Sequence, residues 1–279
     1  MGRWRILQSF LVGAAILVFA QNHSVWAKGP DLDDYPNLYK VLDDTNKTPG
    51  KRPNKSPSKR QIYRIGIKKD RPRPSQRVVG MEEVRERSEK IDGMKNREVR
   101  EYLEDHIAKI VIGPGRVPWL INGHHLCRAM WELDFDEVLV KVQDDWSDLT
   151  DAEFWRRMKK SSFVWDEDGN GRSISIPDGL PKSISGLKND EFRSFAWRVK
   201  KLAGFEETEI PFAEFHWAKF YRHFFSRSEV IDPSSKVLIE AVRLAHSHYA
   251  KDLPGYIPPR SPRSCSLILK GKPQKFSEN

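Results

Sequence analysis

The stretch from Trp119 to Met130 reads WLINGHHLCRAM, and its order of residue types decides the local fold. A short apolar run ends in Asn122-Gly123, a pair that is typical of tight turns. Two adjacent histidines follow, and apolar residues then recur with the spacing of a helix. The stretch therefore predicts a strand, a tight turn and a helix that begins at His124 and His125.

A helix start of this kind suits an anion such as phosphate. Its first backbone N–H groups have no partner within the helix, and the helix dipole places a partial positive charge there. Histidine can also donate hydrogen bonds, transfer protons or bind metal. We therefore identify His124 and His125 as candidate catalytic residues and Gly123 as a candidate phosphate-binding residue. The alternative is a turn whose histidines only cap and pack.

The flanking patterns predict an α+β fold, a small mixed sheet with helices followed by a helical subdomain. The predicted helices of the first half are Met81–Ile91 and Arg97–His106, and the predicted strands are Lys109–Ile112, Val117–Ile121 and Glu137–Val142. In the second half, Thr150, Asp190, Pro211 and Ser234 each stand at the start of a predicted helix. Gly204 ends the helix that follows Asp190.

The N-terminus has the pattern of a secretory signal peptide. Arg3 and Arg5 precede an apolar core, Phe10 to Ala20, that is short for a membrane span. Val25-Trp26-Ala27 fits a cleavage site, so we expect residues 1–27 to be removed. The mature chain would then be secreted or periplasmic, with no transmembrane span. An uncleaved anchor in the inner membrane is the alternative.

The formal net charge of +9 is unevenly distributed, because basic residues crowd between Lys47 and Arg77. Residues 28–77 are rich in Pro and Lys and lack sustained periodicity, which predicts a basic disordered linker with at most a short strand at Ile62 to Ile67. Such an arm could contact nucleic acid or anionic surfaces, or it could be a solvated linker. We expect a main domain over 78–226, a C-terminal helix over 227–252 and a disordered tail over 253–279.

The chain has two cysteines, Cys127 and Cys265. They could form one disulfide in an oxidising compartment. Because Cys127 falls in an apolar-patterned helix and Cys265 in a Pro- and Ser-rich tail, a buried free thiol at Cys127 is the preferred interpretation. An exposed Cys127 beside a cation would instead indicate a redox protein.

Several separated motifs carry a resemblance to a known family. They are VGMEEV (Val79 to Val84), IVIGPGRVPWLINGHHLCRAM (Ile110 to Met130), EFWRRM (Glu153 to Met158), LPKSISGLKNDEFRSFAWRVKKLAGF (Leu180 to Phe205) and PFAEFHWAKFYR (Pro211 to Arg222). Together they resemble the ParB-like nuclease family of bacteria, part of the ParB/sulfiredoxin superfamily. The resemblance implies a ParB/sulfiredoxin-like fold, a nucleotide or a divalent metal as cofactor, and nucleic acid or a nucleotide as partner.

The turn departs from the boxes known in the superfamily. ParB proteins have a Gly-Glu-Arg-Arg box that binds a nucleoside triphosphate, and sulfiredoxins have a Gly-Cys-His-Arg box. Here Gly123, His124, His125 and Leu126 stand at those places, and Arg128 matches a later arginine, which makes it a candidate phosphate-binding residue. The missing cysteine disfavours sulfinic-acid repair. Members that phosphorylate free serine use a Gly-His-His-type turn, so phosphoryl transfer stays open.

The segment FAEFHW supplies two further candidates, Glu214 and His216. Glu214 lies on an otherwise aromatic segment, and a buried acid needs a partner, for which His124, Arg128 or a metal would serve. Glu214 is therefore a candidate catalytic residue, and His124 and His216 are candidate metal ligands for an unknown metal. The alternative is the exposed face of an amphipathic helix.

Arg193 and Ser194 follow the predicted cap Asp190, and both are candidate phosphate-binding residues. Arginine can hold phosphate with two parallel hydrogen bonds. The alternative is a salt bridge from Arg193 to Asp190 or Glu191.

One segment imitates the start of a calcium-binding loop, with Asp166, Asp168, Asn170 and Gly171 at the right spacing. Ligand position twelve, however, is Pro177 rather than glutamate, so a hairpin turn is favoured.

The main hypothesis is an exported protein that carries out phosphodiester or nucleotide-phosphate chemistry, as a nuclease or phosphotransferase, at the Gly-His-His turn. The alternative is a non-catalytic envelope binding module that retains the same scaffold.

Overall fold

The computed structural model describes residues 29–44, 57–68 and 72–259. The predicted signal peptide, much of the basic cluster between Lys47 and Arg77, and Cys265 lie outside the described residues. Within the described ranges, no helix is both long enough and apolar enough to cross a membrane.

The first half of the chain mixes strands and helices. In chain order its elements are α1 (Leu38–Asp44), β1 (Ile62–Gly66), β2 (Arg73–Pro74), β3 (Val78–Val79), α2 (Met81–Asp92), α3 (Asn96–Asp105), β4 (Ala108–Gly113), β5 (Val117–Asn122), α4 (His124–Glu132) and β6 (Glu137–Asp145). The second half is mostly helical, with α5 (Asp151–Lys160), β7 (Lys188–Asn189), α6 (Glu191–Lys201), α7 (Ala213–Tyr221), α8 (Arg227–Ile231) and α9 (Ser235–Ala245).

Five strands form one mixed sheet in the order β1-β6-β4-β5-β2. The β1–β6 and β4–β5 pairs are antiparallel, whereas β4–β6 and β5–β2 are parallel. The predicted hairpin is confirmed, and a short 3₁₀ turn over Pro114–Arg116 joins its strands. The strands β3 and β7 form a separate parallel pair. The hairpin delivers the chain directly to the start of α4.

Both faces of the sheet are covered by helices. Ile110 of β4 is buried in a cluster that also holds residues of α2, α3 and α4. The next residue, Val111, is buried on the other face with Phe154 and Met158 of α5. Successive side chains of a strand point to opposite faces, so the apolar run in β4 serves two cores at once.

The helical subdomain has its own core, in which Phe195, Trp217, Tyr221 and Ala241 from α6, α7 and α9 are buried together. The predicted cap of α6 is confirmed, because the N–H of Arg193 donates to Asp190 Oδ1 at 3.1 Å.

The start of α7 differs from the prediction. The helix begins at Ala213 rather than at Pro211, because Phe212 adopts a left-handed backbone (φ 60°) as the residue before the helix.

The structure also differs from the expectation of a disordered linker over residues 28–77. In the described parts of that segment, Leu38 of α1 and Tyr63 and Ile65 of β1 are buried in the main core. β1 pairs with β6, which comes far later in the chain. The few apolar residues here are surrounded by Pro and Lys, so their burial depends on a distant strand rather than on local pattern.

The tail beginning at residue 253 is packed over its described part. Trp217 donates its indole N–H to the Pro254 carbonyl at 2.7 Å, and the N–H of Glu206 donates to the Gly255 carbonyl at 2.8 Å. The folded region therefore begins before Val78 and continues past residue 252.

Candidate functional site

The turn before α4 depends on a glycine. Gly123 has φ of 88°, and a Cβ added there would lie 2.7 Å from the Cβ of Ala108. The first backbone hydrogen bond of α4 runs from the N–H of Cys127 to the Gly123 carbonyl at 2.9 Å. No side chain caps the helix at Gly123. The N–H groups of its first turn are therefore left for a ligand or water.

A cavity of about 700 Å³ lies against this helix start. Its walls include side chains from α2, α4, α6 and α7 and the connecting segment 207–212. The lining residues that carry charge or can exchange protons include Glu83, His124, His125, Arg193, Lys200 and Glu214. The structure thus brings together His124, His125, Glu214, Gly123 and Arg193 from the sequence-predicted site.

His125 connects the turn to the start of α2. The N–H of Gly80 donates to His125 Nε2 at 3.1 Å, so this nitrogen carries no proton. Burial, reinforced by Arg193 and Arg87 and opposed by Glu83, lowers the pKa of His125 to about 4. The ring is therefore neutral near pH 7, and one of its nitrogens braces α2 against α4.

His124 is buried at 4% exposure and lines the cavity, but its Nε2 has no hydrogen-bond partner. Burial is the main cause that lowers the pKa of His124 to about 3, and the neighbouring His125 contributes in the same direction. A buried nitrogen without a partner costs free energy. His124 is thus a neutral ring with an unused hydrogen-bonding atom, and that atom is itself buried.

Arg193 lies between two carboxylates. Its Nη2 donates to Glu83 Oε2 at 2.9 Å and lies 3.6 Å from Glu214 Oε2. Its Nε and Nη1 atoms are buried without partners. The predicted alternative of a side-chain salt bridge to Asp190 or Glu191 is not what the structure shows, because only the backbone N–H of Arg193 bonds to Asp190. Among the described residues, these two guanidinium nitrogens therefore have no hydrogen-bond acceptor.

Glu214 receives its partners from helix α6. Lys200 donates to Glu214 Oε1 at 2.6 Å, and Arg193 approaches the other carboxylate oxygen. The partners expected from sequence, His124 and Arg128, are not those in contact. Burial alone would raise the pKa of Glu214, but Arg193 and Lys200 lower it below its usual value. Glu214 is therefore ionised at neutral pH.

Glu83, on α2, is a site residue that the sequence analysis missed. It accepts hydrogen bonds from Arg87 at 3.0 and 3.2 Å and from Arg193. Burial would raise its pKa, but the positive charges of His125, when protonated, Arg193 and Arg87 hold the pKa well below its usual range. The charged groups form one alternating chain that runs Arg87, Glu83, Arg193, Glu214, Lys200 and Glu207.

Two signals in the sequence touch this part of the site. The motif VGMEEV contains Glu83, and the i, i+4 spacing of Glu83 and Arg87 indicates an ordinary helix pair.

Arg128 lies away from the cavity. Its Nη1 donates to the carbonyls of Ser185 at 2.8 Å and Leu187 at 3.2 Å, and its guanidinium stacks over Trp131. It therefore holds the loop before β7 against α4, and the geometry does not place it beside a ligand in this cavity.

Ser194 does not line the cavity either, because its hydroxyl accepts the N–H of Glu82 at 3.4 Å near the start of α2. His216 packs edge-on against Trp165, with 5.5 Å between ring centroids. Over the described ranges, no group of three or more His, Cys, Asp or Glu side chains is arranged to hold a metal ion. The structure thus offers His124 and His216 no common metal site among those residues.

The calcium-like segment forms the favoured hairpin turn. Asp168 Oδ1 accepts the backbone N–H groups of Asn170 at 2.8 Å and Arg172 at 3.0 Å. Because the carboxylate is used to stabilise its own turn, it does not project toward a cation.

Cys127 is a buried free thiol, as expected. Burial raises its pKa to about 12. The redox alternative required an exposed cysteine beside a cation, so the structure does not support it.

Comparison with known proteins identifies the class. The family model described as "Putative ParB-like nuclease" matches residues 65–223, which is more than half of the chain, so the chain belongs to this family. Its fold is the α+β fold of the ParB/sulfiredoxin type.

Among solved structures, the chain is similar to the crystal structure of protein Atu1540 from Agrobacterium tumefaciens. The two are 33% identical with a TM-score of 0.64, over 71% of this chain and 98% of that chain. No curated protein matches.

Proposed function

We propose that this protein binds a phosphate group of a phosphodiester or nucleotide at the start of α4 and catalyses its cleavage or transfer, as a nuclease or phosphotransferase. One observation carries the proposal. Two buried side chains that line the same cavity, His124 and Arg193, have nitrogens without hydrogen-bond partners. They adjoin a helix start that lacks a side-chain cap.

The energetics support an anionic ligand. Each buried polar group without a partner costs about 1–3 kcal/mol, and more when the group is charged. A phosphate has oxygens enough to accept hydrogen bonds from Arg193 and from the first turn of α4 together. Its charge also matches the guanidinium and the helix dipole. A bound phosphate would therefore supply acceptors for the unpaired nitrogens of Arg193.

The chemistry assigns different roles to the two histidines. In hydrolysis, the oxygen of water attacks phosphorus, the ester P–O bond breaks, and the attacking water gives up a proton. Neutral His124 accepts that proton, since a bound phosphate raises the low pKa of a nearby ring. The leaving oxygen then takes a proton from the protonated ring of His124, which returns the ring to its neutral form. His125 is a positioning residue because its Nε2 is already occupied by Gly80. Arg193 stabilises the charge on the phosphoryl oxygens.

The test compares turnover and binding in matched variants. Bis(4-nitrophenyl) phosphate and an end-labelled oligonucleotide report cleavage, and titration calorimetry with inorganic phosphate and AMP reports binding. We expect His124→Gln to reduce turnover by roughly 10²-fold or more, as on loss of a general base. We expect Arg193→Lys to weaken phosphate binding, because lysine cannot form the two-pronged contact. His223→Gln, at an exposed position, is the control and should leave both unchanged.

Two results would overturn the proposal. One is the absence of phosphate and nucleotide binding by the parent protein. The other is a His124→Gln variant that melts several degrees lower than the parent while binding and turning over every ligand equally well, which would make the ring purely structural.

A binding module without turnover is the second candidate. It is favoured by the burial of both rings, which lowers the pKa of His124 to about 3 and that of His125 to about 4 and leaves both neutral and weakly basic. In this case the parent binds phosphate but cleaves neither substrate, with or without added Mg²⁺, Mn²⁺ or Zn²⁺. His124→Gln would then lower affinity alone.

Export of the chain remains a proposal that rests on the N-terminal sequence. The charged start, the short apolar core and Val25-Trp26-Ala27 support it. Mass spectrometry of the protein from a periplasmic or secreted fraction should find Lys28 as the first residue. An intact Met1 on protein from the cytoplasmic fraction would contradict it.

A further inference from the structure

Lys200 of α6 lies between two carboxylates at the cavity wall. Its Nζ donates to Glu214 Oε1 at 2.6 Å and to Glu207 Oε2 at 2.6 Å, and all three residues line the cavity. The two carboxylates differ in exposure, because 81% of the Glu207 side chain is exposed and only 18% of the Glu214 side chain. One partner of Lys200 therefore belongs to the buried wall, and the other lies largely in solvent.

The pair of Lys200 with Glu207 can open at little cost. An ion pair with a solvent-exposed member contributes little, because water hydrates the carboxylate when it leaves. Glu207 lies in the segment between α6 and α7, outside any helix or strand. The backbone just before it is held in place, since the N–H of Glu206 donates to the Gly255 carbonyl at 2.8 Å. Rotation of one side chain is therefore enough to separate Glu207 from Lys200.

Lys200 and Arg193 present their charges to the same part of the cavity. They are seven positions apart on α6, which places them on one face of the helix, two turns apart. Both contact Glu214, because Arg193 Nη2 lies 3.6 Å from Oε2 and Lys200 bonds to Oε1. The two cations are thus separated by the width of one carboxylate. An anion with several oxygens can contact both, since the lysine ammonium has three N–H donors.

The charges of the described lining residues balance each other. The cations are Arg87, Lys109, Arg193 and Lys200, and the carboxylates are Glu83, Glu207, Glu209 and Glu214. Because this lining has no net charge while Glu207 stays paired, an anion is attracted most strongly where it takes the place of a carboxylate. Glu207 is the carboxylate that can leave, since it is exposed and yet holds a cation of the cavity.

We infer that Lys200 is an anion-binding residue of the cavity and that Glu207 competes with the anion for it. The inference rests on the proposed function and adds a regulation of the same site. Arg193 has buried nitrogens without acceptors among the described residues, whereas Lys200 becomes available only when Glu207 leaves. The exposed carboxylate therefore keeps the affinity for anions below the value that the two cations would give alone.

The experiment measures the affinity of the whole protein for inorganic phosphate by titration calorimetry. Glu207→Gln removes the competing charge and should tighten phosphate binding by about three- to fivefold. Glu209→Gln is the matched control, because Glu209 is exposed, lines the same cavity and forms no ion pair within the described ranges. Water and salt screen an exposed charge of this kind, so Glu209→Gln should change the affinity by less than about 1.5-fold.

A double-mutant cycle attributes the gain to Lys200. Lys200→Met should weaken phosphate binding by about tenfold, as on loss of a charge-assisted hydrogen bond. Glu207→Gln added to Lys200→Met should then have no further effect, because the competition has lost its object. Thermal unfolding checks that each variant is folded. If Lys200→Met does not fold, the comparison of Glu207→Gln with Glu209→Gln decides alone, since both replace exposed side chains.

The outcomes separate this inference from the proposed function. If neither the parent nor Glu207→Gln binds phosphate, the proposed function fails together with the inference. If the parent binds phosphate, but Glu207→Gln leaves the affinity unchanged or lowers it, only the inference is wrong. An equal gain in Glu209→Gln, or a full gain from Glu207→Gln in the Lys200→Met background, would assign the effect to surface charge in general and would also overturn the inference.

Discussion

The two walls of the cavity differ in the charge of their buried ionisable groups, which are neutral on one wall and charged on the other. On the α4 side, His124 and His125 are neutral because burial lowers both pKa values, and Glu83 Oε2 stays 3.6 Å from His125 Nε2, which is too far for a hydrogen bond. On the α6–α7 side, Arg193, Glu214 and Lys200 are charged because each contacts an opposite charge.

This difference shows how one cavity can separate binding from proton transfer. A buried charged group that keeps its partners is stable, but it does not readily gain or lose a proton. A buried neutral ring without a partner can change its protonation when a ligand alters its surroundings. We call Arg193, Glu214 and Lys200 the charged wall, and the start of α4 with His124 and His125 the neutral wall. We therefore expect the charged wall to govern stability and anion affinity, and the neutral wall to govern how stability responds to pH.

The largest effect is expected from Arg193→Met, which breaks the charged wall at its centre. Removing this guanidinium leaves Glu83 and Glu214 buried near each other with less compensation. Breaking a buried ion pair in this way typically costs about 3–5 kcal/mol of the free energy of unfolding. Urea denaturation measures it. Arg227→Met, which removes an exposed arginine paired with the half-buried Glu191, is the control and should cost about 1 kcal/mol or less. Equal losses of unfolding free energy in both variants would show that the buried network contributes no more to stability than the pair of Arg227 with Glu191.

A somewhat smaller effect is expected on the neutral wall from Gly123→Ala. Alanine in the left-handed region costs about 1–2 kcal/mol, and the added Cβ would clash with Ala108. We expect a total loss of about 2–4 kcal/mol, measured by thermal and urea unfolding. Gly93→Ala provides the comparison, since Gly93 has φ of −78° and open space around it. If Gly123→Ala were as stable as Gly93→Ala, the described turn geometry would be incorrect.

The third prediction concerns pH. The folded-state pKa of His124 lies near 3 and its unfolded value near 6.5, so the unfolded chain binds the extra proton first. Stability is then complete above pH 6.5 and falls as the pH drops toward 3. Between pH 6.5 and 5 this histidine should account for about 2 kcal/mol of loss. His124→Gln should flatten the curve of unfolding free energy against pH in that window, and an unchanged slope would argue that the ring is not buried as neutral.

The smallest effect is expected from Arg128→Lys, which lies outside both walls. Lysine cannot reproduce the bonds from one guanidinium to several carbonyls of the loop at residues 184–187, so we expect about 1 kcal/mol of lost stability. Calorimetry should find phosphate affinity unchanged. A clear loss of phosphate affinity would show that Arg128 belongs to the binding site, and it would contradict the assignment of anion binding to the charged wall.

The pattern of neighbouring residues in the sequence was sufficient to predict the structure of the neutral wall. Asn122-Gly123 marks the turn, the apolar run before it marks β5, and the helical spacing after it marks α4. A glycine at a left-handed position and histidines at a helix start are relations among neighbours in the chain. The caps at Thr150 and Asp190 could be predicted for the same reason.

For the charged wall, the sequence predicted some of the residues but not the ion pairs between them. Arg193 and Glu214 were identified as candidates, but their partners were not, because Glu83 precedes Arg193 by 110 residues. No spacing rule links residues so far apart, and the i, i+4 pair of Glu83 with Arg87 resembles many surface pairs. Lys109 and Lys141 likewise become neighbours only when β4 pairs with β6.

The turn at Asn122-Gly123, the caps at Thr150 and Asp190, the family and the α+β class could be predicted from the sequence, because each depends on residues that are close in the chain or on several separate motifs. The tertiary structure alone decided that α1 and β1 complete the core, that Arg128 holds a loop and that Glu83 meets Arg193. The physical reason is that burial and ion pairing depend on which elements pack together, and packing is a property of the whole chain.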